Sequence, residues 1–323
     1  MKVAVVIPSF KVSRSIVGVI HSVPQSINKI YVVDDRCPQG TANVVFQKVE
    51  DPRVEIIKNE KNLGVGGATI VGLTKAFSDQ HDIVVKIDGD GQMDSKNIGL
   101  LVSHLESGDY GYAKGNRFSE RSNLKGMPFI RIFGNFFLSF LTKLSSGYWD
   151  IMDPTNGFIA ITRETFFSLD LQKISQRYFF ESDLLFHLYN NRVNVIDVPM
   201  AARYGNEKSN LSITRSAVEF PVLHFRNFWR RISRFYFMEN INIGSFHLVV
   251  SMLLLPLGVC VGIYNWYDAG RIGSGAPVGD VVLPALFILI GYQSFVSFLN
   301  YDTSKSPNKK ISNSIHKVER KKV

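Results

Sequence analysis

An α/β fold with an open, mainly parallel sheet, joined to a C-terminal hairpin of two membrane-crossing helices, is what this 323-residue sequence predicts. Three observations carry the prediction. Short β-branched runs alternate with segments of helical length from residue 2 to about residue 115. Two long apolar runs follow near the other end, at 243–264 and 281–299. The net charge of +9 is concentrated in the segments that flank those two runs.

Residues 2–7, 29–33, 54–57 and 83–87 are rich in Val and Ile and bounded by turn-forming residues, the pattern of strands buried on both faces. Between them, 13–22, 41–49 and 66–78 have helical length and composition. This rhythm builds a parallel sheet with helices on both faces. Beyond it, 110–116 reads as a strand, 119–126 as a polar loop, 128–144 as a helix, 157–161 as a strand, 181–190 as a helix and 193–198 as a strand. Residues 215–238 interleave Arg226, Arg230, Arg231 and Arg234 with Phe225, Phe228, Trp229, Ile232, Phe235 and Phe237 at largely helical spacing. That suits a helix lying in a membrane interface, with a solvated helix packed on the folded domain as the alternative.

Each apolar run is about 20 residues long, enough to cross ~30 Å of hydrocarbon as a helix. His247 is the only Asp, Glu, Lys, Arg or His in the first run, and the second has none. Residues 203–242 carry seven Lys/Arg against three Glu, and 302–323 carry seven against Asp302 and Glu319, which together account for the whole excess charge. The connection at 268–280 has one Arg and two Asp. Positive charge on both outer flanks predicts an integral membrane protein with two spans and with its N- and C-termini in the cytosol. A nucleic-acid binder would spread its basic residues over the folded domain, so that class is set aside. The stretch 3–7 is too short for a signal-peptide core and ends at Pro8. Cys37 and Cys260 fall in separate regions and read as small packing residues.

In open α/β sheets, ligands bind beyond the carboxyl ends of the strands. Three strand ends therefore matter: Pro8–Phe10, Asp34–Arg36 and Asp88–Gln92. Asp88-Gly-Asp-Gly-Gln92 places two carboxylates one residue apart on a glycine-loosened turn. Such a pair offers hard oxygen ligands to Mg²⁺ or Mn²⁺, while a solvated acidic turn is the bland alternative. Asp34 and Asp35 could bind a ribose or base edge, or cap a turn. Asn62-Leu-Gly-Val-Gly-Gly-Ala68 precedes a helix but lacks Gly-Lys-Ser/Thr, and Thr69 replaces the third glycine of G-x-G-x-x-G. It reads as tight helix-to-sheet packing beside a nucleotide rather than as a phosphate loop.

In order and spacing, Val5-Val-Ile-Pro-Ser-Phe10, Val32-Val-Asp-Asp35, Asn62–Ala68 and Asp88–Gln92 resemble family 2 glycosyltransferases of the GT-A fold, with its Rossmann-like sheet. Gly115-Asn-Arg-Phe118, Asp153-Pro-Thr-Asn-Gly-Phe158 and Arg203-Tyr-Gly-Asn-Glu-Lys208 resemble the branch of dolichol-phosphate mannose synthase and bacterial polyprenyl-phosphate glycosyltransferases. The resemblance covers roughly residues 1–215. It implies metal-dependent, inverting transfer of a sugar from a UDP- or GDP-sugar to a polyprenyl (undecaprenyl or dolichyl) phosphate at the cytosolic membrane face, in bacteria the inner membrane.

Carried over by position, Pro8, Ser9, Phe10, Asp34, Asp35, Gly64 and Asp88 would bind the donor. Asp88, Asp90 and Gln92 would hold the metal ion. Asp153, Arg117 and Asp90 would be catalytic, and Arg131, Arg203 and Lys208 would bind the acceptor phosphate. The organisation expected is a catalytic domain at 1–214, an amphipathic helix at 215–240, a hairpin at 241–301 with spans at about 243–265 and 280–300, and a basic tail at 302–323. Gln-x-x-Arg-Trp, the mark of processive relatives, is absent. Met93 replaces a common His, Phe158-Ile-Ala lacks a basic residue found in relatives, and Asn300-Tyr-Asp-Thr303 departs from their pattern. Another lipid or a membrane-presented glycan as acceptor is the alternative within the class. A silent nucleotide-sugar-binding scaffold is the alternative outside it. Apolar faces on two spans could pack within one chain or between copies.

Overall fold

The computed structural model describes residues 1–118, 129–201, 213–273 and 275–307, without the side chains of 129–133 and 213–215. Its centre is a seven-stranded sheet of β1 (Val3–Ser9), β2 (Lys29–Asp34), β3 (Val54–Lys58), β4 (Ile83–Lys86), β5 (Tyr112–Asn116), β6 (Ile159–Thr162) and β7 (Val195–Pro199). Their order is β3-β2-β1-β4-β6-β5-β7. The first four strands pair in parallel, β6 runs antiparallel to both β4 and β5, and β5 pairs in parallel with β7.

The period-two alternation of the strands separates two cores. Val3, Val5 and Ile7 of β1 face a layer that includes α1 (Ile16–Ser22), α2 (Thr41–Lys48) and α4 (Ile98–Glu106). Ala4 and Val6 face the other layer, with α3 (Gly64–Ser78), α6 (Arg163–Phe167) and α7 (Phe180–Asn190). Helix α4 was not anticipated, although Ile98, Leu101, Val102 and Leu105 carry the apolar spacing of a helix and all four are buried. Gly72 lets α3 lie directly on the sheet, since a Cβ there would strike Val6 and Val33.

Helices α5 (Phe129–Ser146) and α8 (Ile213–Ile232) pack against one another beside this domain. A π-helical turn at Ser233–Met238 leads to two long helices, α9 (Ile243–Ile272) and α10 (Val278–Ser304). Asn242 caps α9 in a reciprocal capping box with Ser245. Glycines allow close contact between the pair: a Cβ on Gly258 would meet Ile288, and one on Gly291 would meet Leu255.

Both helices are long and apolar enough to cross a membrane, and only 17% and 22% of their most apolar windows is buried inside the protein. A pair of buried core helices is thereby excluded. The elements also run past the expected limits, since α9 continues to Ile272 and α10 to Ser304.

One residue of the arginine-rich segment is placed differently from the expectation. On α8 the inward face is mixed: His224, Asn227 and Arg231 are buried alongside Phe220 and Ile232, while Val218, Val222 and Phe225 are exposed. Arg231 is therefore no interfacial cation. Asp302, counted with the basic tail, is buried within α10 as its partner.

Candidate active site

The chain passes from β1 outward to β2 and β3, then returns to place β4 on the other side of β1. This reversal leaves a crevice beyond the carboxyl ends of β1 and β4, where open α/β sheets bind ligands. Pro8 and Ser9 end β1 there, and the Asp88–Gln92 turn follows β4. Gly91 takes a left-handed φ of 80° in that turn. The Gly89 carbonyl accepts from Ser15 Oγ at 2.7 Å, which fastens the turn to the start of α1. The Gln92 amide donates to Asp90 Oδ1 at 3.0 Å.

An open cleft joins this turn to two later segments. Asp88, Asp90, Gln92, Met93 and Asp94 line one side, Arg117, Thr155, Asn156 and Gly157 the other, with Met200 and Ala201 completing it. Arg117 and Asp153 meet at its wall in a two-point ion pair, and the Arg117 amide also donates to Asp153 Oδ2 at 3.1 Å. Of the carried-over residues, the structure thus gathers Asp88, Asp90, Gln92, Arg117 and Asp153.

Asp34 and Asp35 are placed differently. Both are buried, and their carboxylates organise backbone. Asp34 accepts from the amides of Cys37 and Ala42, at 2.7 and 2.8 Å. Asp35 accepts from the amides of Leu63 and Gly64, both at 2.8 Å, and from Asn59 Nδ2. The turn-capping alternative is what this geometry realises. Gly64, with φ of 85°, allows its loop to pass against the backbone of Gln176 and Arg177. Ser9 Oγ donates to the Ile7 carbonyl, and Phe10 is half-buried beneath the Lys11 ammonium. Arg203 and Lys208 lie outside the described residues, as does the side chain of Arg131.

Sequence reasoning missed the charges beneath the cleft. Lys86 is wholly buried and bridges Asp88 Oδ1 at 2.8 Å and Glu181 Oε1 at 3.1 Å. Burial alone would lower its pKa, but the two carboxylates outweigh that and hold it above the ordinary lysine range. Gly157 makes room for the bridge, since a Cβ there would run into Lys86 Nζ. Lys86 and Lys114 flank Ile159 in register across β4, β6 and β5, and Lys114 faces Asp197 on β7.

Lys114 Nζ donates to the Asn156 carbonyl. Burial pushes the Lys114 pKa down to about 8, against the pull of Asp153, Glu181 and Asp197. Burial pushes the Asp197 carboxyl up to about 6. Asp197 Oδ2 accepts from Asn116 Nδ2 and from the Met152 amide, while Oδ1 is buried without a partner. The detectable signal was a lysine at the end of an otherwise apolar strand, Ile83-Val-Val-Lys86, immediately before an acidic turn.

The donor set fits a hard divalent cation. Asp90 and Gln92 offer oxygen on one turn, and Asp88 shares the cleft. Among the described residues no three His, Cys, Asp or Glu side chains form a closed metal cage. A short protein ligand set is how Mg²⁺-type ions are held when substrate phosphates supply the rest.

Comparison with known proteins identifies the family and the fold. The sequence profile of the family described as Glycosyl transferase family 2 matches residues 4–167. A relative from Methanococcus voltae, a UDP-N-acetylglucosamine–dolichyl-phosphate N-acetylglucosaminyltransferase, is 29% identical over 233 residues, covering 68% of this chain and 92% of that protein. The polyprenol monophosphomannose synthase of Mycolicibacterium smegmatis is 28% identical over 206 residues, covering 61% and 75%. Among solved structures, glucosyl-3-phosphoglycerate synthase from Mycobacterium tuberculosis, in complex with Mn²⁺, UDP-glucose and phosphoglyceric acid, superposes with a TM-score of 0.54. It covers 71% of this chain and 79% of its own at 18% identity, a likeness of fold.

Proposed function

Since this chain belongs to glycosyl transferase family 2, with a GT-A-like fold, and is a glycosyltransferase, we propose that it moves a sugar from a nucleoside-diphosphate sugar to a polyprenyl phosphate at the cytosolic face of a membrane. The observation that carries this reading is the shared cleft. One wall is the acidic turn at the sheet's switch point, and the other is the Arg117–Asp153 segment, in a chain that ends in two apolar helices. The lipid-phosphate acceptors named for the relatives from M. voltae and M. smegmatis support the choice of acceptor.

In this reading Asp90 and Gln92 hold Mg²⁺ or Mn²⁺, with Asp88 beside them. The ion, when bound, neutralises charge on the departing diphosphate. Lys86 holds Asp88 Oδ1 from below, and Asp88 is assigned to the sugar and ribose side of the donor. Pro8, Ser9 and Phe10 frame the base at the end of β1, while Asp34, Asp35 and Gly64 shape the surrounding loops.

A phosphate monoester has a second pKa near ~6, so a lipid phosphate is largely dianionic at neutral pH and is already a nucleophile. It needs positioning and charge neutralisation more than a base. Arg117 supplies a guanidinium aimed by Asp153, and Arg131, Arg203 and Lys208 are assigned to the acceptor phosphate. A single displacement at the anomeric carbon would invert its configuration.

The test is to incubate the protein, reconstituted in vesicles, with radiolabelled UDP- and GDP-sugars, Mg²⁺ or Mn²⁺, and undecaprenyl phosphate. The expected product is extractable into organic solvent, labile to mild acid and lost with a chelator. Donor binding without that product would move the assignment to another acceptor. Absence of donor binding would overturn the enzyme reading for this site.

A further inference from the structure

Asp302 lies in the last turn of α10, one residue within the Asn300-Tyr-Asp-Thr303 stretch that sets this chain apart, and it is 1% exposed. A buried carboxylate costs several kcal/mol unless it is paired, and a negative charge is also disfavoured near a helix C-terminus. A helix that served only as an anchor would have no use for it. Here the carboxylate is met by donors from three other parts of the chain. Arg231 of α8 donates to Oδ1 at 2.6 Å and to Oδ2 at 2.9 Å. Tyr236, in the π-helical turn, donates to Oδ1 at 2.7 Å, and Trp149 Nε1 donates to Oδ2 at 2.9 Å.

Trp149 decides what this junction is for. It stands four residues before Asp153, in the segment that follows α5 and forms a wall of the cleft. Other bonds hold the same segment from the catalytic domain. Ser139 Oγ donates to the Met152 carbonyl at 2.9 Å, and Asn156 Nδ2 donates to the Gly115 carbonyl at 2.9 Å. Arg231 is itself fixed, donating to the Leu144 carbonyl at 2.8 Å and lying over the Tyr189 ring. The junction therefore joins α10 to both α5 and the Asp153 segment.

We propose that Asp302 is a positioning residue, through which the second apolar helix fixes Trp149 and hence the acceptor-side wall of the cleft. The idea rests on the reading above that this wall serves the acceptor. The bilayer-embedded helix then sets where Asp153 and Arg117 stand relative to the membrane surface, and a lipid-borne acceptor reaches them at a defined height.

The experiment uses the full chain in vesicles and compares it with Trp149→Phe, Asp302→Asn and the double variant Arg231→Met/Asp302→Met. Trp149→Phe removes one donor while keeping the ring that packs on Phe140. Amide exchange over 147–157 should quicken by about tenfold in Trp149→Phe and by more in Asp302→Asn, as expected when a hydrogen bond to a charged group is lost. The apparent KM for undecaprenyl phosphate should rise about tenfold, with nucleotide-sugar Kd unchanged. The double variant should regain thermal stability, because an apolar pair can replace a buried ion pair. It should not regain the acceptor KM, because Trp149 still lacks its acceptor.

Unchanged exchange over 147–157 in both single variants would overturn the proposal. So would equal losses of donor and acceptor binding, or full kinetic recovery in the double variant. If the unaltered protein transferred nothing to undecaprenyl phosphate, the acceptor reading would fail, and the exchange comparison would still decide this proposal.

Discussion

The Arg117 guanidinium meets the Asp153 carboxylate at two points, Nε to Oδ2 at 2.7 Å and Nη2 to Oδ1 at 2.9 Å, with Asp153 wholly buried and Arg117 reaching the cleft. The geometry makes Asp153 an orienting group for Arg117. Asp153→Asn should lower kcat/KM by about 100-fold, the size of effect expected from misplacing a group at a reacting centre, while donor Kd changes little. Arg117→Lys should fail similarly, since an ammonium cannot reproduce the two-point contact. Steady-state kinetics with separate donor-binding titrations checks both. Equal loss of donor binding would instead place the pair on the donor side.

Asp90→Asn should abolish transfer and the metal dependence of donor binding, while leaving the fold and membrane insertion intact. Circular dichroism, membrane fractionation and calorimetric titration of the donor with and without Mn²⁺ provide the readouts. Chelation of the unaltered protein should reproduce the loss reversibly. Full activity in the variant would remove Asp90 from the metal site.

Lys86→Met should destabilise the protein by about 3 kcal/mol, because it leaves the nearly buried Glu181 without its counter-charge, while Asp88, which reaches the cleft, is partly compensated by solvent. Adding Glu181→Gln should recover part of that loss. Thermal unfolding in detergent measures both, and a Lys86→Met variant as stable as the parent would show that the bridge contributes nothing net.

Asp197 links stability to pH. Burial raises its folded pKa to about 6, above the ordinary carboxylate value, so the folded state holds the proton more tightly than the unfolded chain. The stabilisation is fully present below about pH 4 and is lost as pH rises through about 6, with a size on the order of 3 kcal/mol. Asp197→Asn should flatten the stability profile between those limits. Denaturant midpoints measured from pH 4 to 7 test this, and an unchanged slope in the variant would refute it.

Much of the fold was legible because strand burial and helix packing leave periodic apolar marks. The runs at 2–7, 29–33 and 54–57 became β1, β2 and β3 with end shifts of one or two residues. The acidic turn was legible for a related reason, since a strand of Val and Ile that stops at Asp-Gly-Asp announces both the turn and its place at a sheet end. The segment 215–238 was half legible. Its spacing gave a helix, but a pattern of cations and aromatics does not say which face is inward, and His224, Asn227 and Arg231 proved to be buried together with Phe220, Ile232 and Tyr236.

The sequence by itself determined the open α/β architecture, the acidic turn after β4 and the pair of apolar helices, because each is written in local periodicity or in a short contiguous motif. Only the tertiary structure decided which charges meet. Lys86 and Glu181 are 95 residues apart, and Arg231 and Asp302 are 71 apart. A buried ion pair needs two side chains to converge in one desolvated place, and neither member leaves a pattern around itself that names the other. The same holds for Asp34 and Asp35, whose hydrogen-bond partners are backbone amides that the folded loops brought to them.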